Sequence, residues 1–348
     1  MRRDELLDQT LSHHLLPDSA LLLGSRIAMQ RRLKSEREGG VEAQEARLRS
    51  LVWHMSHGPI LEVPERENAQ HLELPAEFFA LFLGPRHKYS CGLWPTPATD
   101  LAASEEAMLK LTCERAQIED GMDILDLGCG WGSLTLWLGE HYPNARVTGI
   151  SASTAHREHI EREAKQRGIA NVDIVTAHAN SYDPERTVDR VLSVEMFEHM
   201  RNWKELLRRI GTRLHREHGK AFVHHFSHRS LAYRFEGTWA AERFFTGGTM
   251  PSHDLMLRFQ EHLVVQDRWA VSGTHYAKTL RAWLEHLDAH SAEALSVLER
   301  HCGAREARRQ LAAWRLFMIS TAEIWDFNAG NEWLVSHYLL APHHGEYG

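Results

Sequence analysis

The stretch "ILDLGCGWG" at residues 124–132 runs from an apolar segment into three closely spaced glycines, Gly128, Gly130 and Gly132. The apolar residues predict a buried strand, and the residues that follow, "GSLTLWLGEHY", predict a helix. Glycine adopts positive φ and lets a ligand approach the backbone, and a helix start presents unpaired N–H groups. In this strand–turn–helix context the glycines predict a ligand site, with a plain tight turn as the alternative.

The same alternation continues to about residue 230. Further apolar segments predict four more strands, most of them separated by helical segments, at "ARVTGIS", "NVDIVTAH", "VDRVLSVE" and "GKAFVHHFS". Strands that alternate with helices form parallel βαβ units, whose sheet carries helices on both faces. The sequence therefore predicts an α/β fold with a doubly wound, Rossmann-like sheet.

The pattern divides the chain into three regions. Residues 1–85 predict an N-terminal helical arm, which includes a helix that starts after Pro75 and ends at the stop signal of Gly84 and Pro85. Residues 86–230 predict the Rossmann-like core. Residues 231–348 predict a helical substrate lid, with two final strands, "HLVVQDRWAV" and "EWLVSHYLLAP", that complete the core sheet.

Composition excludes several classes of protein. The chain has 348 residues, 43% of them hydrophobic, and a net charge of −7, which argues against a nucleic-acid-binding role. Its four cysteines show no C-x-x-C spacing, so neither a zinc site nor a disulfide framework is predicted. The start, "MRRDELLDQT", has no apolar targeting segment, and no apolar run reaches the length of about 20 residues that spans a bilayer. We therefore expect a cytoplasmic protein without stable membrane insertion.

The glycine turn itself indicates a cofactor. Its spacing is G-x-G-x-G after Asp126, which differs from the dinucleotide fingerprint and resembles motif I of the class I S-adenosylmethionine methyltransferases. The resemblance implies S-adenosyl-L-methionine as cofactor. The second strand ends in "TGISAS", without the usual ribose-binding acid, and His178 stands where the adenine-contacting loop usually has Asp. The predicted cofactor contacts are Tyr89, Ser90, Gly128, Gly130, Gly132, Ser151, Ser153, His156, Ala179, Asn180 and Glu195.

A narrower resemblance rests on longer stretches, which include "YSCGLW", "SVEMFEHMRNW", "FVHHFSHRSLAYRFE", "RFFTGGTMPS" and "NAGNEW". Together they resemble the coclaurine N-methyltransferase-like enzymes, which are related to the cyclopropane fatty acid synthases. The resemblance runs from about residue 8 to the C-terminus. The amine methyltransferases carry Glu-x-x-Glu-His after the fourth strand, where the synthases carry Gly-x-x-Glu-His, and this chain has Glu195, Glu198 and His199.

These three residues are the predicted catalytic group. If 195–199 began a helical turn, the three side chains would share one face at the carboxyl end of the fourth strand. An aliphatic amine has a pKa near ~9–10 and arrives protonated, so it must lose a proton before it can attack a methyl carbon. We assign Glu198 and His199 as the deprotonating pair and Glu195 as the anchor of the amine or the cofactor. A solvated helix start and a metal site are the alternatives, and the spacing supplies no further metal ligand.

Substrate contacts are predicted from the same resemblance. Cys91, Glu198, His225 and Tyr276 match the places where the synthases hold a bicarbonate ion, which keeps a lipid-modifying enzyme as an alternative. Aromatic residues of the lid and of the loop before it are candidates for contact with a cationic amine through cation–π attraction. The predicted substrate residues are Cys91, His225, Tyr233, Phe245, Tyr276, Trp325, Phe327 and Trp333.

The resulting prediction is an S-adenosylmethionine-dependent N-methyltransferase that acts on a small, cyclic or aromatic amine. The alternative is a cyclopropane-fatty-acid-synthase-like enzyme that methylenates or methylates an acyl chain with the help of bicarbonate. A non-catalytic protein that only binds the cofactor is a third hypothesis, which the intact glycines and the Glu-Glu-His set oppose. A homodimer formed through the arm is a hypothesis for its assembly.

Overall fold

The structure is a computed structural model that describes residues 17–61, 74–178, 186–236, 243–245 and 247–343. Two sheets are present in this part of the chain, one of seven strands and one of two. In chain order the strands are β1 (Asp123–Leu127), β2 (Arg146–Ser151), β3 (Val172–Thr176), β4 (Arg190–Val194), β5 (Lys220–His228), β6 (Tyr233–Arg234), β7 (Thr249–Met250), β8 (Leu263–Ser272) and β9 (Trp333–Pro342).

The large sheet has the strand order β3-β2-β1-β4-β5-β9-β8. Strands β1 to β5 pair in parallel, whereas β9 pairs antiparallel with both β5 and β8. The α/β fold class is thereby confirmed, and the two late strands complete the sheet as predicted. Because β1 lies between β2 and β4, the chain reverses its winding direction at β1, where ligands of such sheets gather.

The helices flank this sheet. The described α-helices of the N-terminal half and the core are α1 (Asp18–Glu36), α2 (Gly40–His54), α3 (Ala76–Ala80), α4 (Leu101–Arg115), α5 (Ser133–His141), α6 (Thr154–Arg167) and α7 (Trp203–Arg213). Those between β8 and β9 are α8 (Gly273–Ala289), α9 (Ser291–Cys302) and α10 (Ala304–Asp326). None of the described helices is long and apolar enough to cross a bilayer.

Helix α3 is shorter than the sequence pattern predicts, because it ends at Ala80 rather than near Gly84. The chain turns there instead, and the backbone N–H groups of Gly84 and Arg86 donate to the carboxyl group of Glu105 at 3.0 and 2.9 Å. Glu105 is almost fully buried in α4. A buried carboxyl group on another helix therefore accepts hydrogen bonds from these backbone N–H groups, so the chain can leave the helix early. This is a tertiary contact, which the local sequence pattern does not predict.

Helices α8 to α10 pack with the N-terminal segment around a largely aromatic core. Phe78, Phe82 and Trp314 meet edge-on or tilted, with ring centroids 5.6 Å apart in each pair. Helix α1 packs against α10, where Arg26 pairs with Glu323 at 2.7 Å. Rings that pack in this way contribute about 0.5–1.5 kcal/mol per pair beyond their buried area. The aromatic core thus ties the arm to the late helices; the predicted division into arm, core and lid stays a prediction.

Candidate active site

A cavity of about 340 Å³ lies where β1, β2 and β4 end. Its floor includes the glycine turn after β1, and its wall includes Glu195 after β4. Helices α8 and α10 contribute Trp283 and Phe317 to the same cavity. A concave, mostly apolar volume at the carboxyl ends of parallel strands is the usual ligand site of such a sheet.

Each glycine of the turn has positive φ, and the surroundings of Gly132 and Gly130 differ. At Gly132 (φ 80°), a Cβ atom would lie 2.5 Å from Ile160, so this glycine permits α5 to start against α6. At Gly130 (φ 52°), a Cβ atom would meet no atom within 4 Å. Gly130 lines the cavity, so here the space is open on the ligand side. One glycine therefore serves packing, whereas the other gives a ligand access to the backbone.

The end of β2 supplies a polar donor. Ser151 Oγ accepts from the N–H of Ser153 at 3.2 Å and lies 3.0 Å from Nδ1 of His156. Burial lowers the pKa of His156 to about 4, so the ring is neutral at pH 7. If the Ser151 hydroxyl donates to Nδ1, the ring proton resides on Nε2, which has no partner in the described part of the chain. His156 can therefore donate to a ligand oxygen such as a ribose hydroxyl.

Glu195 does not begin a helical turn, contrary to the expectation from the sequence. Its φ is 49°, in the left-handed region, and a short 3₁₀ helix follows at Phe197–His199. A non-glycine residue in this region costs roughly 1–2 kcal/mol and persists only where its surroundings hold it. The N–H of Glu195 donates to the carbonyl of His224 at 2.7 Å, which fixes this conformation. In this conformation Glu195 and His199 both line the cavity, whereas Glu198 does not.

Donors from three separate elements surround the carboxylate of Glu195. Oε1 accepts from the N–H of Cys91 at 3.0 Å and lies 3.3 Å from Nε2 of His224. Oε2 accepts from the hydroxyl of Tyr276 at 2.6 Å. Burial raises the pKa of Glu195, and the ammonium group of Lys88 and these hydrogen bonds oppose that rise. The donors favour the ionised form, and burial favours the neutral form.

Glu198 and His199 flank this carboxylate in different ways. Glu198 is 1% exposed; its Oε1 accepts from the N–H of Phe226 at 2.7 Å, and its Oε2 is buried without a partner among the described residues. Burial, followed by the charge of Glu195, raises the pKa of Glu198 well above its usual value. His199 lines the cavity with its ring stacked on Phe245 at 6.3 Å, and burial lowers its pKa. The neutral imidazole of His199 can accept a proton near pH 7, whereas the raised pKa of Glu198 favours its protonated form, which can donate a hydrogen bond but cannot accept a proton.

Sequence reasoning missed Lys88, which is 4% exposed beside the cavity. Its Nζ donates to the carbonyl of Cys91 at 2.9 Å and also to the hydroxyl of Ser90. Burial lowers the pKa of Lys88, and the carboxylate of Glu195 opposes that effect. No local pattern distinguishes this lysine from a solvated one. Its position directly before Tyr89 and Ser90 is the signal that could have suggested it.

The predicted site residues fall into three groups. Those that line the cavity are Tyr89, Ser90, Gly128, Gly130, Ser151, His156, Glu195, His199, Phe245 and Tyr276. Those that the structure describes but does not bring to the cavity wall are Cys91, Gly132, Ser153, Glu198, His225, Tyr233, Trp325, Phe327 and Trp333. Ala179 and Asn180 lie outside the described residues. Unpredicted residues of the wall include Lys88, Trp131, Phe226 and Phe317.

Strand alternation explains the position of His225. Its ring packs between Trp203 and Tyr338, with centroids at 5.4 and 5.2 Å. Side chains alternate across a strand, so His224 and Phe226 face the cavity side of β5 and His225 faces the other side. His224, rather than His225, thus reaches Glu195.

Other predicted substrate residues support the wall from behind. Trp325 stacks on Tyr276 with centroids 4.9 Å apart and planes 11° apart, and Trp333 donates its indole N–H to the hydroxyl of Tyr233 at 2.9 Å. Ser153 caps α6, where it accepts from the N–H of His156. Trp325 and Ser153 thus contact the cavity residues Tyr276 and His156, whereas Trp333 and Tyr233 bond each other away from the wall.

Comparisons with known proteins agree with this geometry. The sequence model of the family described as mycolic acid cyclopropane synthetase matches residues 62–327. A curated (S)-coclaurine N-methyltransferase from Thalictrum flavum subsp. glaucum is 37% identical, covering 94% of this chain and 92% of that protein. Pavine N-methyltransferase from the same plant is 33% identical, covering 96% of each. The crystal structure of a coclaurine N-methyltransferase bound to N-methylheliamine and S-adenosylhomocysteine has a TM-score of 0.93 at 34% identity, over 96% of this chain and 98% of that one.

The sheet, the glycine turn and the open ligand side of Gly130 fit S-adenosylmethionine, and they define a class I methyltransferase that depends on this cofactor. Within that class, the chain belongs to the coclaurine N-methyltransferase-like family of N-methyltransferases, which lies inside the wider cyclopropane synthetase family. The resemblance seen in the sequence is thereby confirmed.

Proposed function

We propose that this enzyme methylates the ring nitrogen of a cyclic amine carried on an aromatic framework, of the benzylisoquinoline type. The observation that carries the proposal is the hydrogen-bonded carboxyl group of Glu195 at the wall of a mostly apolar cavity to which several aromatic rings contribute. The similar proteins named above act on coclaurine and pavine nitrogen atoms, by their names, which supports the substrate class.

The rings of the wall suit a cationic, aromatic substrate. Phe226 and Phe245 meet edge to face with centroids 5.8 Å apart, and Phe244 stacks on Phe317 at 4.5 Å. Such faces attract a cation by about 0.5–2 kcal/mol and pack against an aromatic substrate at little entropic cost. The carboxylate of Glu195 would complete the site by pairing with the ammonium group.

Deprotonation follows from the same arrangement. An amine with a pKa near ~9–10 is almost wholly protonated at pH 7 and has no lone pair with which to attack. His199, neutral at pH 7, accepts the proton at the cavity wall, and Glu198, which lies behind the wall, would take part in the transfer only in its ionised form. Glu195 holds the nitrogen near its attack position. Placement and proton removal together can lower the barrier by several kcal/mol.

The cofactor would be held by the glycine turn and by polar groups nearby. Gly128 and Gly130 would lie against it, His156 would donate from Nε2, and Tyr89 and Ser90 would close the site from the side of the arm. S-adenosylmethionine, when bound, supplies an electrophilic methyl group on a positively charged sulfur atom. Glu195 would stabilise that positive charge as well as the amine.

The contacts of Glu195 disfavour the lipid alternative. The N–H of Cys91, the hydroxyl of Tyr276 and the ring of His224 all point to its carboxylate. The resemblance placed a bicarbonate ion among this kind of donor set in the cyclopropane synthases. Of the four residues that match the bicarbonate site, Cys91 and Tyr276 already donate to the carboxyl group of Glu195, so a separate bicarbonate would have to displace it from these two donors.

The test is a methyl-transfer assay with labelled cofactor. One arm offers tetrahydroisoquinoline and a panel of benzylated derivatives, and the other offers phospholipid vesicles with unsaturated acyl chains, each with and without bicarbonate. We expect label in the amines, independent of bicarbonate. Label in the vesicles alone, dependent on bicarbonate, would reverse the assignment.

Glu195→Gln and Glu205→Gln form a matched pair of variants for this assay. Glu205 lies on α7 in an exposed ion pair with Arg208 and Arg209, away from the cavity. We expect the first variant to lose about 100-fold in kcat/KM for the amine, and the second to behave as the parent enzyme. Equal activity of both variants would contradict the role of Glu195.

A further inference from the structure

A row of side chains runs across the sheet from the cavity towards its far edge. Val194, directly before Glu195, lies opposite His224; His224 lies opposite His337; and His337 lies opposite Trp269 on the edge strand β8. The rings of His224 and His337 are fully buried, with centroids 4.5 Å apart and planes at 33°. Residues opposite each other on one face of a sheet are direct neighbours.

The outer end of this row fixes the tautomer of His337. Arg115, at the end of α4, lies over the ring of Trp269 at 4.9 Å and donates from its guanidinium to Nδ1 of His337 at 2.8 Å. A guanidinium group can only donate, so Nδ1 of His337 must accept. Burial lowers the pKa of His337, so the ring is neutral at pH 7 and its single proton resides on Nε2.

The inner end fixes the tautomer of His224 by the same reasoning. Its Nε2 lies 3.3 Å from Oε1 of Glu195, and that oxygen already accepts from the N–H of Cys91, so we take it as an acceptor for His224 as well. Burial lowers the pKa of His224, so this ring is also neutral. Its proton therefore resides on Nε2, and its Nδ1 is a bare acceptor.

The two remaining ring atoms are complementary. Nε2 of His337 is a buried donor and Nδ1 of His224 is a buried acceptor, and neither has a partner among the described residues. They belong to adjacent rings and make no hydrogen bond to each other in the structure, and one bridging water molecule would join them without disturbing the bonds to Arg115 and Glu195. The geometry points to a polarised chain from Arg115 through His337 and His224 to Glu195, in which Arg115 and His337 are positioning residues that hold the catalytic carboxylate ionised and oriented.

Such a chain orients charge and does not conduct protons. Every hydrogen in it points towards Glu195, and its outer end is a guanidinium group that stays protonated. It can stabilise the carboxylate but cannot carry the proton of the amine to solvent. Other titratable or charged groups act on the same carboxylate; among the described residues they include Lys88, Tyr89, Cys91, Glu198, His199, His225 and Tyr276.

The tautomers can be measured without any substrate. In protein labelled with ¹⁵N-histidine, the signals of His224 and His337 are assigned by their loss in His224→Gln and His337→Gln. We expect both rings to be neutral at pH 7 with the proton on Nε2. A protonated ring, or a proton on Nδ1 of His337, would overturn the proposal.

The second readout rests on the proposed function. Loss of the chain in His337→Leu or Arg115→Met should disfavour the ionised carboxylate, so the acidic limb of kcat/KM should move up by about one pH unit. His337→Gln, whose amide can both donate and accept, should restore part of that shift. Tyr338→Phe, on the opposite face of β9, controls for lost stability and should leave the limb unchanged.

The two readouts separate the possible failures. If the acidic limb of kcat/KM does not shift in the His337 and Arg115 variants, the positioning role is overturned, even if the measured tautomers agree with the proposal. If no amine accepts a methyl group, the proposed function fails, and the tautomers still decide whether the chain of hydrogen bonds exists. An equal shift in Tyr338→Phe would assign the effect to general destabilisation and overturn the proposal.

Discussion

The hydroxyl of Tyr276 donates to Oε2 of Glu195 over 2.6 Å, although the two residues lie 81 positions apart in the chain. Tyr276 belongs to α8, between the last two strands, whereas Glu195 follows β4 in the core. This bond joins the late helices to the carboxyl group that we propose holds the amine. The late helices therefore help to hold the carboxyl group of Glu195 in place.

The substitution Tyr276→Phe should remove this hydrogen bond and keep the aromatic ring. A hydrogen bond to a charged group contributes about 1.5–3 kcal/mol, so we expect kcat/KM for the amine to fall roughly 10- to 100-fold. Steady-state kinetics measure the change. Tyr142→Phe, at the end of α5 and away from the cavity, is the matched control. A decrease of less than twofold in the Tyr276 variant would contradict the importance of the bond.

Lys88→Met should remove the buried positive charge beside Glu195. Because that charge opposes the rise in the pKa of Glu195, its loss should raise this pKa further. The proposed mechanism requires the ionised carboxylate, so activity should be lost as pH falls through its pKa, and the acidic limb of kcat/KM should move to higher pH in the variant. Lys220→Met, whose ammonium group bonds Gln117 far from the cavity, should leave the limb in place. An unchanged limb in both variants would argue against the coupling.

The glycine turn offers a pair of substitutions with opposite readouts. In Gly132→Ala the new Cβ atom meets Ile160 at 2.5 Å, so we expect a clear loss of thermal stability. In Gly130→Ala the space is open, so we expect a small loss of stability from the positive φ and about tenfold weaker binding of S-adenosylhomocysteine. Melting curves and calorimetric titration measure the two effects. Equal cofactor affinity in Gly130→Ala and the parent would show that the ligand lies elsewhere.

Much of the fold follows from local pattern. The strand segments and the Gly-rich turn could be predicted because each alternates clearly with helical sequence and is bounded by turn residues. The sequence also singled out Glu195, Glu198 and His199 as a group. Their relative directions could not be predicted, because the positive φ of Glu195 depends on its bond to the carbonyl of His224, a contact across two strands.

Other parts of the site depend on tertiary contacts alone. Lys88 is an ordinary lysine in the sequence and becomes a site residue only because the folded chain buries it beside Glu195. His225 was chosen from a pair of adjacent histidines, and strand alternation brings His224 to the carboxylate instead. Trp325 and Trp333 are aromatic residues of the kind that line substrate sites, but neither lies at the cavity wall.

His225 provides a test of stability against pH. Burial lowers its pKa to about 4, so between this value and about 6.5 the unfolded chain binds more protons than the folded one. The contribution to stability is therefore complete above about pH 6.5 and is lost as pH falls through 4. In His225→Gln we expect the loss of unfolding free energy between pH 7 and pH 4.5 to be smaller than in the parent by roughly 2 kcal/mol.

Urea unfolding at the two pH values measures this difference. Kinetics of the same variant distinguish a stability role from contact with the substrate, because His225 lies outside the cavity wall. We expect the KM for the amine to stay within twofold of the parent value. A KM raised tenfold, with unchanged acid sensitivity, would restore His225 as a substrate residue.

The pH dependence of His199→Ala tests the central claim most directly. At pH 7 the variant must use the small neutral fraction of an amine whose pKa is near ~9–10, so we expect its kcat/KM to be about 100-fold below the parent. As pH rises towards that pKa, the amine arrives without its extra proton, and the deficit should shrink to a few-fold. A deficit that stays constant from pH 7 to the pKa of the amine would contradict proton removal by His199.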